Sequence, residues 1–190
     1  MKLLGQYKGR SLAGLSGTVI AAAAMLASPA HATPVQGSIG ATSTGSVLIT
    51  ATVPNRALIT SLTDVTFTNA DPSVAATSSQ GPCVWSNTST RNYTITASGS
   101  GASNAFTIAN VSGTSVIPYS VGWANSANAS SLTALSAGTA SSAVASNATN
   151  ISCGGSGNST LKVTIGASDL QDMIATQSYT GTLTLVVTPQ

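Results

Sequence analysis

YTGTLTLVVTP, residues 179–189, contains the clearest periodic pattern in the chain. Its apolar residues Leu183, Leu185 and Val187 recur at every second position, so they share one face of a β-strand. A second run of this kind, VLITATV at residues 47–53, is ended by a proline, which does not continue a strand ladder. Alternation of this kind is typical of strands that are buried on one face only.

Shorter strand-like segments lie between these two runs. They are residues 92–97, 105–111, 116–123 and 161–165, with part of 57–67. Turn residues separate several of them, as in SGSG at 98–101, and Pro118 predicts an edge strand or a bulge in 116–123. Short alternating strands at this spacing predict an all-β sandwich.

Two segments depart from this strand pattern. Residues 134–150 are rich in alanine and serine and are hard to place; the alanine content permits a helix there, but the serine and threonine residues weaken it. Ser168 is predicted to be the N-cap of a short helical turn over residues 169–174. The carboxylates of Asp169 and Asp172 would then lie toward the positive end of the helix dipole.

The N-terminus has the order of a secretory signal peptide. Lys2, Lys8 and Arg10 precede a run of small and apolar residues at 12–28, and the sequence PAHA follows at 29–32. This pattern predicts cleavage between Ala32 and Thr33. A retained membrane anchor is the alternative, but glycine, serine and threonine residues dilute the apolar run. We therefore expect an exported protein that begins at Thr33.

The composition argues against two classes of protein. Only 5% of the residues are charged, whereas disordered chains carry high net charge and few β-branched residues. Past residue 32 the basic residues are Arg56, Arg91 and Lys162, too few to neutralise a nucleic-acid backbone. We therefore expect a folded protein with no nucleic-acid partner.

The chain also lacks the groups that most enzymes use. Its one histidine, His31, lies within the predicted signal peptide, and there is no glutamate. A Ser–His–Asp hydrolase needs a histidine base, and a glycosidase needs two flanking carboxylates. The one close pair, Asp169 and Asp172, is better explained as charges at the start of a helix. We expect no enzymatic activity, no catalytic residues, no metal site and no cofactor.

Two cysteines, Cys83 and Cys153, remain after the predicted cleavage site. In an exported protein an even pair predicts a disulfide. Two tryptophans, Trp85 and Trp123, could stack on a sugar, but a sandwich of this size normally buries such residues. We expect both of them to pack in the core.

Three segments resemble a known family. The ending YTGTLTLVVTP at 179–189 is similar to the final strand of chaperone–usher pilin subunits. LITATVPN at 48–55 is similar to the N-terminal segment of the colonisation-factor (alpha-type) pilins or related archaic-type pilins. IPYSVGW at 117–123 is similar to a mid-domain strand of the same group.

This resemblance implies an incomplete immunoglobulin-like β-sandwich that is completed by donor-strand exchange. A periplasmic chaperone first supplies the missing strand, and an outer-membrane usher then replaces it with the next subunit's N-terminal segment. The product is a head-to-tail fibre that does not close. The implied partners are therefore the chaperone, the usher and neighbouring subunits, and a host or surface ligand is left open.

The expected organisation is a signal peptide at 1–32, a flexible extension at 33–46 and a pilin domain at 47–190. The predicted donor strand, 47–53, carries Val47, Ile49, Ala51 and Val53. The predicted acceptor groove and chaperone-contact strand carries Leu183, Leu185 and Val187. A rival donor run has Val35, Gly37, Ile39 and Ala41 on one face; the second run is preferred because it buries more apolar area.

The predicted function is that of a structural subunit of a surface pilus used for adhesion or biofilm formation, located in the fimbrium after export through the periplasm. Two alternatives remain at this point. One is a carbohydrate-binding tip adhesin or minor subunit that uses Trp85 or Trp123. The other is a self-contained secreted β-sandwich coat protein, which needs no partner strand.

Overall fold

The computed structural model describes residues 33–190, so the predicted signal peptide and Ala32 lie outside the described residues. The strands within this range are Ala57–Thr60 (β1), Ala76–Gln80 (β2), Cys83–Ser86 (β3), Asn92–Gly99 (β4), Thr107–Asn110 (β5), Val116–Pro118 (β6), Ser120–Ala124 (β7), Thr133–Ala134 (β8), Val144–Ala145 (β9), Thr160–Ile165 (β10), Tyr179–Thr180 (β11) and Leu183–Pro189 (β12). One short α-helix, Ala167–Gln171 (α1), precedes β11. The all-β prediction is confirmed.

The chain divides into two compact units, one ending at Ala51 and one spanning Thr52–Gln190. In the first unit, the described residues 33–51 are all exposed to solvent. Their β-bridge joins Val35 and Ser46, which exchange backbone hydrogen bonds of 3.0 and 2.9 Å. This part of the chain therefore folds back on itself without contributing buried side chains.

Two of the four sheets in the second unit share one hydrophobic core. β10 pairs with β2 on one side and with β7 on the other, and β7 also pairs with β8. In the other sheet, β4 lies between β12 and β9. All these pairs are antiparallel. The core draws side chains from both sheets and from β3, namely Val84, Tyr93, Ile95, Val121, Trp123 and Leu161. This arrangement is consistent with an immunoglobulin-like β-sandwich.

Gly81 and Pro82 connect β2 and β3, which belong to different sheets. β2 pairs with β10, whereas β3, which follows directly, pairs with β1. Pro82 has no N–H and so interrupts the ladder. Its carbonyl instead accepts hydrogen bonds from the N–H groups of Asn158 and Ser159, at 3.1 and 3.2 Å.

A smaller sheet, ordered β11–β5–β6, accounts for two breaks in the predicted strands. The predicted strand at 116–123 splits after Pro118, and β6 lies at the edge of this sheet. The single strand predicted at 179–189 is wrong, because residues 181–182 interrupt it: β11 pairs with β5, whereas β12 pairs with β4. A Cβ atom on Gly181 would lie 2.7 Å from the Thr107 carbonyl oxygen, so only glycine fits this position.

Two local predictions are wrong. Ser168 is not an N-cap, because α1 begins at Ala167 with Gly166 as its N-cap and without a side-chain capping bond. Residues 134–150 contain no α-helix. They run along β4 instead, where the N–H groups of Gly138 and Ser141 donate to the carbonyls of Ala97 and Ile95.

The predicted disulfide between Cys83 and Cys153 is confirmed, with the two Cα atoms 5.8 Å apart. It joins the first residue of β3 to a 3-10 turn at Cys153–Gly155. The two cysteines are separated by 70 positions. Closing a loop of this length stabilises the folded state by about 4 kcal/mol in the chain-entropy model. A disulfide is typical of exported proteins.

Candidate functional site

Strand β12 has an inner and an outer face. Leu183, Leu185 and Val187 are half-buried and pack against the hydrophobic core. The residues between them are exposed, including Val186 at 52%. The three predicted groove residues therefore form one apolar row, which we call the inner row of β12.

The inner row is less buried than the side chains that face it on β4. Leu185 lies opposite Ala97, and Val187 lies opposite Ile95. Both β4 residues are completely buried at 0% exposure, whereas both β12 residues remain partly exposed. Facing residues of one ladder share one face of the sheet. The difference in burial therefore depends on what covers the outer edge of β4 and the outer edge of β12.

Beyond β4 the sheet edge is covered by the chain itself. The Ile95 carbonyl accepts a hydrogen bond from the Ser141 N–H at 2.8 Å, and the Ala97 carbonyl accepts one from the Gly138 N–H at 2.7 Å. The Ser141 hydroxyl oxygen also accepts the Ile95 N–H at 3.1 Å. The segment that forms these bonds shields the buried face of β4 from solvent.

Beyond β12 the sheet edge has no ladder partner among residues 33–190. Gln190 and Asn92 lie opposite each other, and the Gln190 N–H donates to the Asn92 carbonyl at 2.9 Å. Hydrogen-bonded pairs alternate with non-hydrogen-bonded pairs along an antiparallel ladder. The inner-row residues therefore direct their own N–H and C=O groups away from β4. Pro189 adds no N–H donor to this open edge.

Strand β1 provides a second edge near β12. The Asn87 N–H donates to the Arg56 carbonyl at 3.1 Å, so Ala57 and Ile59 direct their backbone groups away from β3 by the same alternation. Ile59 packs against the same core as the inner row of β12. β1 lies close to β12, yet no ladder joins the two strands. We call the region between these two edges the open groove.

The open groove is narrower than a strand. Some Cα atoms of β1 and β12 lie within 8 Å of each other. A strand inserted between them would place them two inter-strand spacings apart, about 9.6 Å. Occupation of the groove by a third strand therefore requires β1 and β12 to separate. Such an insertion would also cover the half-buried inner row.

The predicted donor residues lie on the surface. Val47, Ile49 and Val53 are 72%, 86% and 73% exposed, and Ala51 is exposed as well. Residues 47–53 belong to no strand in the described chain. The predicted run crosses the boundary between the two compact units, which falls after Ala51. In the rival run, Val35 forms the bridge to Ser46 and Ile39 is fully exposed.

The other residues considered from the sequence lie away from any reactive arrangement. Trp123 is 3% exposed, and its indole N–H donates to the Tyr93 hydroxyl at 3.3 Å. The predicted core packing is confirmed for Trp123 but is wrong for Trp85, which is only half-buried, and Asp169 lies in the first turn of α1. Burial raises the pKa of Tyr93 above its ordinary value. Residues 33–190 hold no cluster of three metal-ligating side chains.

The described part of the chain contains no helix long and apolar enough to cross a membrane.

Sequence reasoning missed two neighbours of β12, namely β4 on its paired side and β1 across the open groove. The pattern at 92–97 predicted a strand, but it did not show that Tyr93, Ile95 and Ala97 would lie beside the final strand. The short strand β1 was visible only as part of a longer segment, 57–67. Local periodicity does not depend on which distant segments pair, so no signal in the sequence places these two strands beside β12.

Comparisons with known proteins find little at the sequence level. No family model matches the chain, and no curated protein sequence matches it. Among solved structures it is similar to a chain of the CsuC–CsuE chaperone–tip adhesion subunit pre-assembly complex from the archaic chaperone-usher Csu pili of Acinetobacter baumannii. The identity is 17% and the TM-score is 0.42. The match covers 81% of this chain and 48% of that chain, so this protein spans about half of that neighbour's length.

Proposed function

We propose that this protein is a structural subunit of a chaperone–usher surface pilus and polymerises by donor-strand complementation, for adhesion or biofilm formation. The observation that carries the proposal is the burial difference across one ladder. Ile95 and Ala97 are completely buried, whereas Val187 and Leu185 opposite them are not. An additional strand along β12 would bury the exposed apolar surface and pair its open N–H and C=O groups.

The partners follow from this role. A periplasmic chaperone would occupy the open groove before assembly, and an outer-membrane usher would exchange it for the N-terminal segment of a neighbouring subunit. The protein would act at the cell surface, in the fimbrium, without enzymatic activity. The confirmed disulfide supports export. The burial of Trp123 favours this role over that of a sugar-binding adhesin.

The test is to supply a donor strand within the same molecule. A second copy of residues 47–53 is appended after Gln190 through a flexible linker, and amide hydrogen exchange is measured at Leu183, Leu185 and Val187. The N–H groups of these residues point to the open edge, so a bound donor strand should slow their exchange. The apparent melting temperature should rise as well, because more apolar area is buried.

Two control chains make the test specific. One carries aspartate in the appended copy at the position equivalent to Ile49, and it should give no protection because a charge cannot enter the apolar groove without cost. The other carries residues 33–43 in place of 47–53, and protection by that copy alone would transfer the donor role to the rival run. If neither donor slows exchange at β12, the protein is a self-contained sandwich and the pilin proposal is wrong.

A further inference from the structure

Asn87 makes three hydrogen bonds to the segment that precedes β1. Its side-chain Nδ2 donates to the Pro54 carbonyl at 2.9 Å, and its Oδ1 accepts the Arg56 N–H at 2.6 Å. Its backbone N–H donates to the Arg56 carbonyl at 3.1 Å. One residue thus holds both ends of the tripeptide Pro54–Arg56.

The contact between Asn87 and Pro54–Arg56 lies just beyond the point where the β1–β3 ladder ends. The β1–β3 ladder reaches Ala57 opposite Ser86, and Pro54 offers no N–H with which a ladder could be continued. A carboxamide carries an acceptor oxygen and donor hydrogens in one plane, as a peptide group does. The Asn87 carboxamide therefore acts as a peptide group would, because it pairs with the Arg56 N–H and the Pro54 carbonyl just beyond the ladder.

We propose that Asn87 is a positioning residue that holds the root of the N-terminal arm, where the arm is residues 33–53 and the root is Pro54–Arg56. This inference rests on the proposed function. A donor segment that reaches into a neighbouring subunit transmits force and orientation through its root. A fixed root limits the angles between successive subunits. The hydrogen bonds from Asn87 to the root, which we call the clamp, therefore stiffen the fibre without contacting the open groove.

The chain offers a matched control for this contact. Gln80 makes the same two kinds of bond with Thr63, where Nε2 donates to the Thr63 carbonyl at 3.1 Å and Oε1 accepts the Thr63 N–H at 2.8 Å; Oε1 also accepts the Thr63 hydroxyl at 3.3 Å. Both amide side chains are half-buried, but Thr63 lies beyond β1 and not at the arm. Gln80→Ala therefore removes equivalent bonds at a site where the proposal predicts no effect on the arm.

The first measurement is amide hydrogen exchange in the full-length exported protein. Asn87→Ala should accelerate exchange at Arg56 by about threefold to tenfold, the change expected for one lost hydrogen bond. Asn87→Asp keeps the acceptor and should leave Arg56 close to wild type. Gln80→Ala should accelerate exchange at Thr63 only. Unchanged exchange at Arg56 in Asn87→Ala would overturn the clamp.

The second measurement is the persistence length of fibres from cells that express each variant with the chaperone and usher, determined by electron microscopy. Asn87→Ala fibres should bend more than wild-type and Gln80→Ala fibres. Equal stiffness together with faster Arg56 exchange would overturn the positioning role. A wild-type protein that forms no fibre would overturn the proposed function and the positioning role with it, while exchange at Arg56 would still decide whether the clamp exists.

Discussion

Ile95 and Val187 face each other across the β4–β12 ladder, yet Ile95 is completely buried and Val187 is partly exposed. They lie on the same side of the same sheet and contact the same core. The segment that carries Gly138 and Ser141 covers the edge beyond Ile95, whereas no described strand pairs with the edge beyond Val187. The sheet is therefore closed on one side and open on the other.

The open edge predicts a face-specific effect of charge on β12. Leu185→Asp places a carboxylate in the inner row, where an incoming strand would have to bury it, so binding of chaperone and donor strand should be lost. Val186→Asp places the same charge on the exposed face of the same strand and should bind normally. Chaperone co-purification measures both variants. Equal binding by the two would contradict the assignment of the groove.

A similar comparison applies to the arm. Ile49→Asp should block polymerisation while the chaperone complex still forms, because the donor segment acts only on a neighbouring subunit. Leu48→Asp alters an equally apolar residue on the opposite face of the predicted strand and should polymerise. Fibre yield by electron microscopy and complex yield by gel filtration separate the two steps. Normal fibres from Ile49→Asp would remove residues 47–53 from the donor role.

Loss of the disulfide should weaken the fold considerably. Replacing Cys83 and Cys153 by serine removes a cross-link between residues 70 positions apart, and the free energy of unfolding should fall by about 4 kcal/mol. Urea unfolding of the double variant measures this change, and chemically reduced wild-type protein is the control that should behave alike. A loss below about 1 kcal/mol would show that the unfolded chain is already restricted.

Asn158 should matter more for stability than an exposed asparagine does. It is 7% exposed, its Oδ1 accepts the Val84 N–H at 2.8 Å, and its Nδ2 donates to the Val84 carbonyl at 2.8 Å. Asn158→Ala leaves the buried Val84 N–H without this acceptor and should cost about 1–3 kcal/mol of stability. Asn125→Ala, at an exposed site, should cost much less. Similar unfolding midpoints for the two variants would contradict this ranking.

Tyr93 should make the protein sensitive to alkali. Burial raises the pKa of its hydroxyl above the ordinary value of 10.0. The unfolded chain then ionises first as the pH rises, so the stability due to neutral Tyr93 is complete below pH 10 and is lost above it. In urea unfolding between about pH 8 and pH 11, the free energy of unfolding should fall less steeply with pH for Tyr93→Phe than for wild type. An equal dependence of the free energy of unfolding on pH in the two proteins would contradict this role of Tyr93.

Several features could be predicted because they depend on local residue patterns or on composition alone. The alternation at 92–97 and 161–165 located the main parts of β4 and β10. The pairing of Cys83 with Cys153 followed from having two cysteines in a chain predicted to be exported. The apolar row of Leu183, Leu185 and Val187 followed from the period of a strand, and the structure places these side chains on one face.

Other features were decided by contacts between distant segments. Alanine content permitted a helix in 134–150, but hydrogen bonds from Gly138 and Ser141 to β4 hold this segment extended. Ser168 was a plausible cap, yet α1 begins one residue before it. The final run is interrupted between β11 and β12 because the first pairs with β5 and the second with β4. None of these contacts is encoded in the local pattern.

The sequence by itself determined the main strands at 92–97 and 161–165 and the apolar face of β12, because side-chain periodicity is a local property. Only the tertiary structure decided that β12 lies at an open edge beside β1, and that Asn87 holds Pro54–Arg56. Such neighbours are brought together by the packing of the whole core. An edge strand and a central strand can carry the same alternation, so their difference emerges only when the sheet is assembled.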